Sequence, residues 1–102
     1  MSQAKVRLEP RMKAAVAEMK DRVLSHFPTA TFRLDRSDED PTIVHLVTIV
    51  DIDDPDEVTD LVIDRMGELL INEDLPLFVI PIHTPERVAA LLEAMRADRA
   101  HA

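Results

Sequence analysis

The 102-residue chain has no cysteine, no tryptophan, no tyrosine and a single glycine. Without cysteine it can form no disulfide, thiolate nucleophile, Cys-ligated zinc or iron–sulfur cluster, and its redox compartment is not readable. One glycine, Gly67, excludes the Gly-rich phosphate cradles of P-loop and dinucleotide folds, which need several residues that let backbone approach phosphate. With no Trp or Tyr there is little to stack on bases. A net charge of −8 also repels phosphate backbones, so nucleic acid is not an expected partner. Also lacking are a run of 18 apolar residues and an apolar leader segment in MSQAKVRLEP, so no membrane association is expected and the reading is cytoplasmic.

What remains is the composition of a globular domain, 46% hydrophobic and 31% charged, at a length that fits one small domain over residues 1–102 with fraying expected at 1–9 and 98–102. Charge is unevenly distributed. Residues 1–26 hold six Lys/Arg against three Asp/Glu, a net +3, which leaves −11 on the rest. The sharpest acidic excess runs from Asp35 to Asp64, and the basic Lys5, Arg7, Arg11 and Lys13 are placed to meet it within or between subunits.

From Pro10 the residues Met12, Val16, Met19, Val23 and Phe27 recur at helical spacing and predict helix one over about 10–26, opened by Pro10 and stopped by Pro28. Thr29 to Asp35 alternates as a half-buried strand. After the polar link 37–41, the run TIVHLVTIVDI (42–52) does not alternate and predicts a central strand covered on both faces, returning antiparallel. Asp54-Pro55-Asp56-Glu57 signals a helix start, and helix two follows to about Asn72. Its stripe of Val58, Leu61, Val62, Met66 and Leu69 is broadened by Ile63 and Leu70, which suggests a second partner surface. Leu75 to His83 is a strand whose Pro81 cannot donate to a ladder and so belongs at an edge. Thr84-Pro85-Glu86 opens helix three, with Val88, Leu91, Leu92 and Met95 as its expected buried stripe.

The expected fold is therefore α/β in the α+β sense: α-β-β-α-β-α, with a three-stranded mixed sheet ordered 1-2-3. Helices one and two can cover one face, and helix three or a second subunit the other. The broad apolar face of helix two and the uncapped sheet edge predict a homodimer.

The strand ending DIDDPDEV, the helix after it and LPLFVIPIHTPERV, together residues 42 to about 92, resemble the second half of the minimal nucleotidyltransferase domain. They also resemble short bacterial proteins of unassigned function that share DDPDEV and LPLFVIP strings. The nucleotidyltransferase family has a Gly-Ser turn after its first strand, a carboxylate-x-carboxylate pair opening the second and a further carboxylate in the third. Here residues 28–41 contain no glycine, the second strand opens Thr42-Ile43-Val44-His45, and Phe78 stands where the third acid is needed. Paired carboxylates hold the metal ions that catalyse nucleotidyl transfer. The resemblance therefore implies the scaffold without the activity, and the family's functional residues carry over to no position.

One chemical constellation stands on geometry. Ligands in open α/β sheets favour the carboxyl ends of parallel strands, where Asp51, Asp53 and His83 fall. Two carboxylates and an imidazole suit a divalent metal; the competing reading makes Asp53 or Asp54 a helix cap and His83 a polar strand end. His45 is read as a hydrogen-bonded core histidine, Met12, Met19, Met66 and Met95 as core filling, and Asp38-Glu39-Asp40 as a solvated hairpin tip. Ser25 and Ser37 lack a nucleophile elbow. No catalytic or cofactor-binding residue is assigned. The function expected is a non-enzymatic protein-association domain that self-associates or binds a protein partner. The alternative is a metal-dependent enzyme or metal-binding regulator using Asp51, Asp53 and His83.

Overall fold

The computed structural model describes residues 8–100, with side chains to Asp98. The elements run α1 (Pro10–Leu24), β1 (Thr31–Arg36), β2 (Val44–Val50), α2 (Asp56–Asn72), β3 (Leu77–His83) and α3 (Pro85–Ala100). The order α-β-β-α-β-α and the sheet order 1-2-3 are those expected. β1 is antiparallel to β2 and β2 parallel to β3, the crossover being α2. Lys5, Arg7, His101 and most of the fraying expected at the ends fall outside the described residues. Leu8 packs against the core and α3 stays helical to Ala100.

Local chemistry sets the boundaries. Pro10 starts α1, where a missing N–H is no loss. At α2 the Asp54 carboxylate accepts the Asp56 N–H at 3.0 Å, so Asp54 is the residue that caps, with Asp56 and Glu57 adding favourable negative charge in the first turn. α2 ends where Asp74 takes φ +55°, which turns the chain back so that the Leu75 N–H donates to the Leu69 carbonyl at 2.9 Å. Pro81 lies in β3, an edge strand as its chemistry requires.

One face of the sheet is well covered. Met12, Val16, Met19 and Val23 of α1 and Val58, Val62, Met66 and Leu69 of α2 pack on Val44, Leu46 and Val50 of β2 and Leu77 and Val79 of β3. The Met66 sulfur also accepts the Val79 N–H at 3.1 Å, so α2 supplies a backbone partner to the edge strand as well as apolar surface. Arg65 joins the two helices through Glu18, with contacts of 2.8 and 3.1 Å, and Arg11 donates to the Glu73 carbonyl at 2.6 Å.

The opposite face departs from expectation. β2 is covered unevenly: Val44, Leu46, Thr48 and Val50 are buried toward the helices, whereas on the other face Val47 is buried and His45 and Ile49 are only half-buried. His45 is therefore a residue of this open face, not of the core. α3 does not lie over the sheet, and every residue from Val88 to Asp98 is exposed. Its expected buried stripe stands 41% (Val88), 42% (Leu91), 52% (Leu92) and 64% (Met95) exposed. Met12, Met19 and Met66 fill the core as expected, but Met95 does not. The helical period fixes which side of α3 is apolar; what covers that side is a tertiary matter that the period does not encode. The projecting helix gives the chain a radius of gyration of 16.1 Å and extents of 53 × 35 × 25 Å. A compact domain of this length has a radius of roughly 13 Å.

Candidate functional site

Two regions carry the residues singled out by their chemistry. The first is the carboxyl end of the parallel strands, where Asp51 and Asp53 follow β2 and His83 ends β3. The fold brings all three to one edge, and adds Arg87 from the first turn of α3. Arg87 Nε donates to Asp51 at 2.8 Å, and its Nη1 pairs with Asp53. The Asp51 carboxylate, by accepting that bond, holds the guanidinium above its ordinary pKa, with Coulombic support from Asp53. His83 Nε2 lies 3.2 Å from the Asp53 carbonyl oxygen, which can only accept, so this nitrogen carries the proton and offers no lone pair to a metal.

Thus the cation between these carboxylates is a guanidinium. Among the described residues no three His, Asp or Glu side chains are grouped to hold a metal ion. The edge is built as a tether: Thr84 caps α3 by accepting the Arg87 N–H at 3.1 Å, and the Arg87 side chain fastens the start of the helix to the end of β2. Arg87 was not singled out by sequence pattern. Its signal was a cation in the first turn of a helix, where the dipole disfavours positive charge, which implies a compensating contact elsewhere.

The second region is the open face. The strand register sets three rows across it: Asp35, His45 and Phe78; Arg33, Val47 and Ile80; Thr31, Ile49 and Ile82. β1 contributes the polar margin and β3 an all-apolar margin. Ion pairing between Arg33 and Asp35 at 3.2 Å neutralises that polar margin. Between the last row and the start of α3 runs a groove of about 450 Å³, bounded by Ile49 and Ile82 below and by Val88 and Leu92 on the helix. The β3 signal was visible in sequence as apolar residues at both parities of one edge strand.

Elsewhere, His26 Nδ1 lies 3.0 Å from Ser25 Oγ at the end of α1, and the 37–42 turn is closed by Asp40, whose carboxylate accepts from Thr42 and is held below its ordinary pKa by those bonds. Both are local turn chemistry. Among the described residues no helix is long and apolar enough to cross a membrane.

No protein-family model matches the chain, and neither the curated proteins nor the solved structures compared with it contain a match.

Proposed function

We propose that this chain is a non-enzymatic protein-association domain that works by self-association. One observation carries the reading: among the described residues, two apolar surfaces have no layer packed on them. A sheet face lined with large apolar side chains, like a helix with an apolar stripe, needs a surface to bury it. Among the described residues the sheet face of half-buried Ile49, Phe78 and Ile80 and exposed Ile82 has no covering helix, and α3 has no sheet beneath it. Exposed apolar surface on this scale favours a partner.

The competing metal-dependent chemistry is less favoured because Arg87 already compensates Asp51 and Asp53. The resemblance of residues 42–92 to the nucleotidyltransferase scaffold adds no activity to this reading, since the acids that reaction needs are replaced here. Light scattering tests the proposal. Between micromolar and submillimolar protein, the expected mass approaches twice the 11.5 kDa of the chain. A monomer mass throughout that range overturns self-association.

A further inference from the structure

We infer that the interface is formed by α3 itself: two copies of the chain pack their α3 helices antiparallel about a two-fold axis passing between Leu91 and Leu92. Each α3 enters the groove that its partner's α3 leaves over the open sheet face. The inference rests on the self-association proposed above and adds the surface, the symmetry and the register.

The first support is spacing. Val88, Leu91, Leu92 and Met95 stand at intervals of three, one and three, a sequence that reads the same in both directions. At about 100° per residue these four side chains fall within an arc of roughly 100°, one continuous stripe. When two such helices run antiparallel about that axis, the two Leu91 and the two Leu92 side chains cluster around it, each close to its own mate, and Val88 meets Met95 of the second copy. The stripe is thus complementary to itself, as an isologous interface requires.

Area gives the second support. The exposed apolar surface of Val88, Leu91, Leu92, Met95 and Ile82 amounts to roughly 450 Å² per chain. A standard interface buries about 800 Å² per partner, of which roughly 57% is non-polar. These five residues can therefore supply most of the apolar share of a stable dimer, and the surface lining the rest of the groove the remainder.

Charge decides between this face and the other exposed apolar surface, on α2. Ile63 and Leu70 of α2 share their side of the helix with Asp56 and Asp60, so a second copy laid on that side meets uncompensated negative charge. Beyond its tether, α3 alternates Glu93, Arg96 and Asp98, with Glu93 and Arg96 already paired at 3.1 Å. The one-sign charge beside the α2 patch disfavours self-pairing there more than the mixed charges of α3 do.

The natural absence of cysteine makes a direct test available. Single variants Leu92→Cys, Met95→Cys and Leu70→Cys are oxidised at a concentration where the wild type has dimer mass, their folding being checked by circular dichroism. In the antiparallel register Leu92→Cys is expected to give a disulfide-linked dimer. Met95→Cys alone lies about 10 Å from its symmetry mate along the axis and stays unlinked, because a disulfide requires Cα atoms within about 7 Å. An equimolar mixture of Val88→Cys and Met95→Cys links as the mixed dimer. Leu92→Asp should raise the dimer dissociation constant by roughly thirty-fold or more, the effect of losing a central apolar contact. If the wild type is dimeric but Leu70→Cys links while Leu92→Cys does not, the α3 interface is overturned and self-association stands. Linking of Met95→Cys to itself overturns the antiparallel register. A wild type that stays monomeric overturns both.

Discussion

Arg87 and Asp51 are separated by 36 positions in the chain, yet the guanidinium Nε of one lies 2.8 Å from the carboxylate of the other. That contact, with the second one to Asp53, fastens the start of α3 to the end of β2. It also places a positive charge against the two carboxylates at the end of the parallel strands.

Removing the guanidinium should therefore unmask the carboxylates. In Arg87→Met, Asp51 and Asp53 lose the cation they share, and neighbouring like charges are relieved by a bound cation. Millimolar Mn²⁺ is expected to raise the melting temperature of Arg87→Met and to leave the wild type nearly unmoved. Equal responses in thermal melts of the two proteins would show that Arg87 does not occupy the cation's place.

Between the helices, Glu18 and Arg65 form a second long-range pair. The hydrogen bond from Arg65 holds the Glu18 carboxyl below its ordinary value, partly opposed by desolvation. A depressed folded-state pKa contributes stability above the unfolded value, and that stability is lost as pH falls through the folded one. The wild type should thus lose melting temperature more steeply between about pH 5 and pH 3 than Glu18→Gln, which has no proton to take up. Parallel curves over that interval would remove Glu18 from the acid transition.

How much of this was legible in the sequence depends on distance along the chain. The caps at Asp54 and Thr84, the prolines at 10, 55 and 85 and the two-residue alternation of β1 are local signals, and they located every element and the sheet order. Pro81 marked the edge strand for the same reason. The Arg87 tether and the Glu18–Arg65 pair join residues 36 and 47 positions apart, and no local pattern announces such meetings. β2 shows a different limit. Its apolar run has no polar parity to mark an exposed side, so His45 read as core although it stands between Asp35 and Phe78 on the open face. Likewise the stripe of α3 was readable, and its lack of cover was not.

Within α2, two neighbours should respond in opposite ways. Leu69 is almost wholly buried against the sheet, whereas Ile71, two residues on, is 81% exposed. Leu69→Ala removes packed volume that the surroundings refill only in part and should cost about 2–5 kcal/mol. Ile71→Ala should stay within about 0.5 kcal/mol. Urea denaturation of both at one protein concentration checks the pair, and a cost above about 1.5 kcal/mol at Ile71 would mean that this side chain is buried in an interface.

The end of α2 offers a gain in stability. Asp74 adopts φ +55°, a conformation in which an L side chain crowds its own backbone at a cost of about 1–2 kcal/mol, and in which glycine meets no such penalty. Its carboxylate also follows the C-terminal turn of a helix, where the dipole disfavours negative charge by roughly 0.3–1 kcal/mol. Against these gains, glycine frees the unfolded chain by about 0.5–1 kcal/mol. The balance favours Asp74→Gly by about 1 kcal/mol. Asp74→Asn, which removes the charge and tolerates the left-handed region better, should fall between the two. Because the proposed dimerisation would link stability to concentration, the three proteins are compared at one concentration, by the urea midpoint at unchanged slope. The expected order of midpoints is Asp, then Asn, then Gly. A glycine variant less stable than the wild type would mean that the Asp74 side chain makes a contact worth more than the strain and charge it brings.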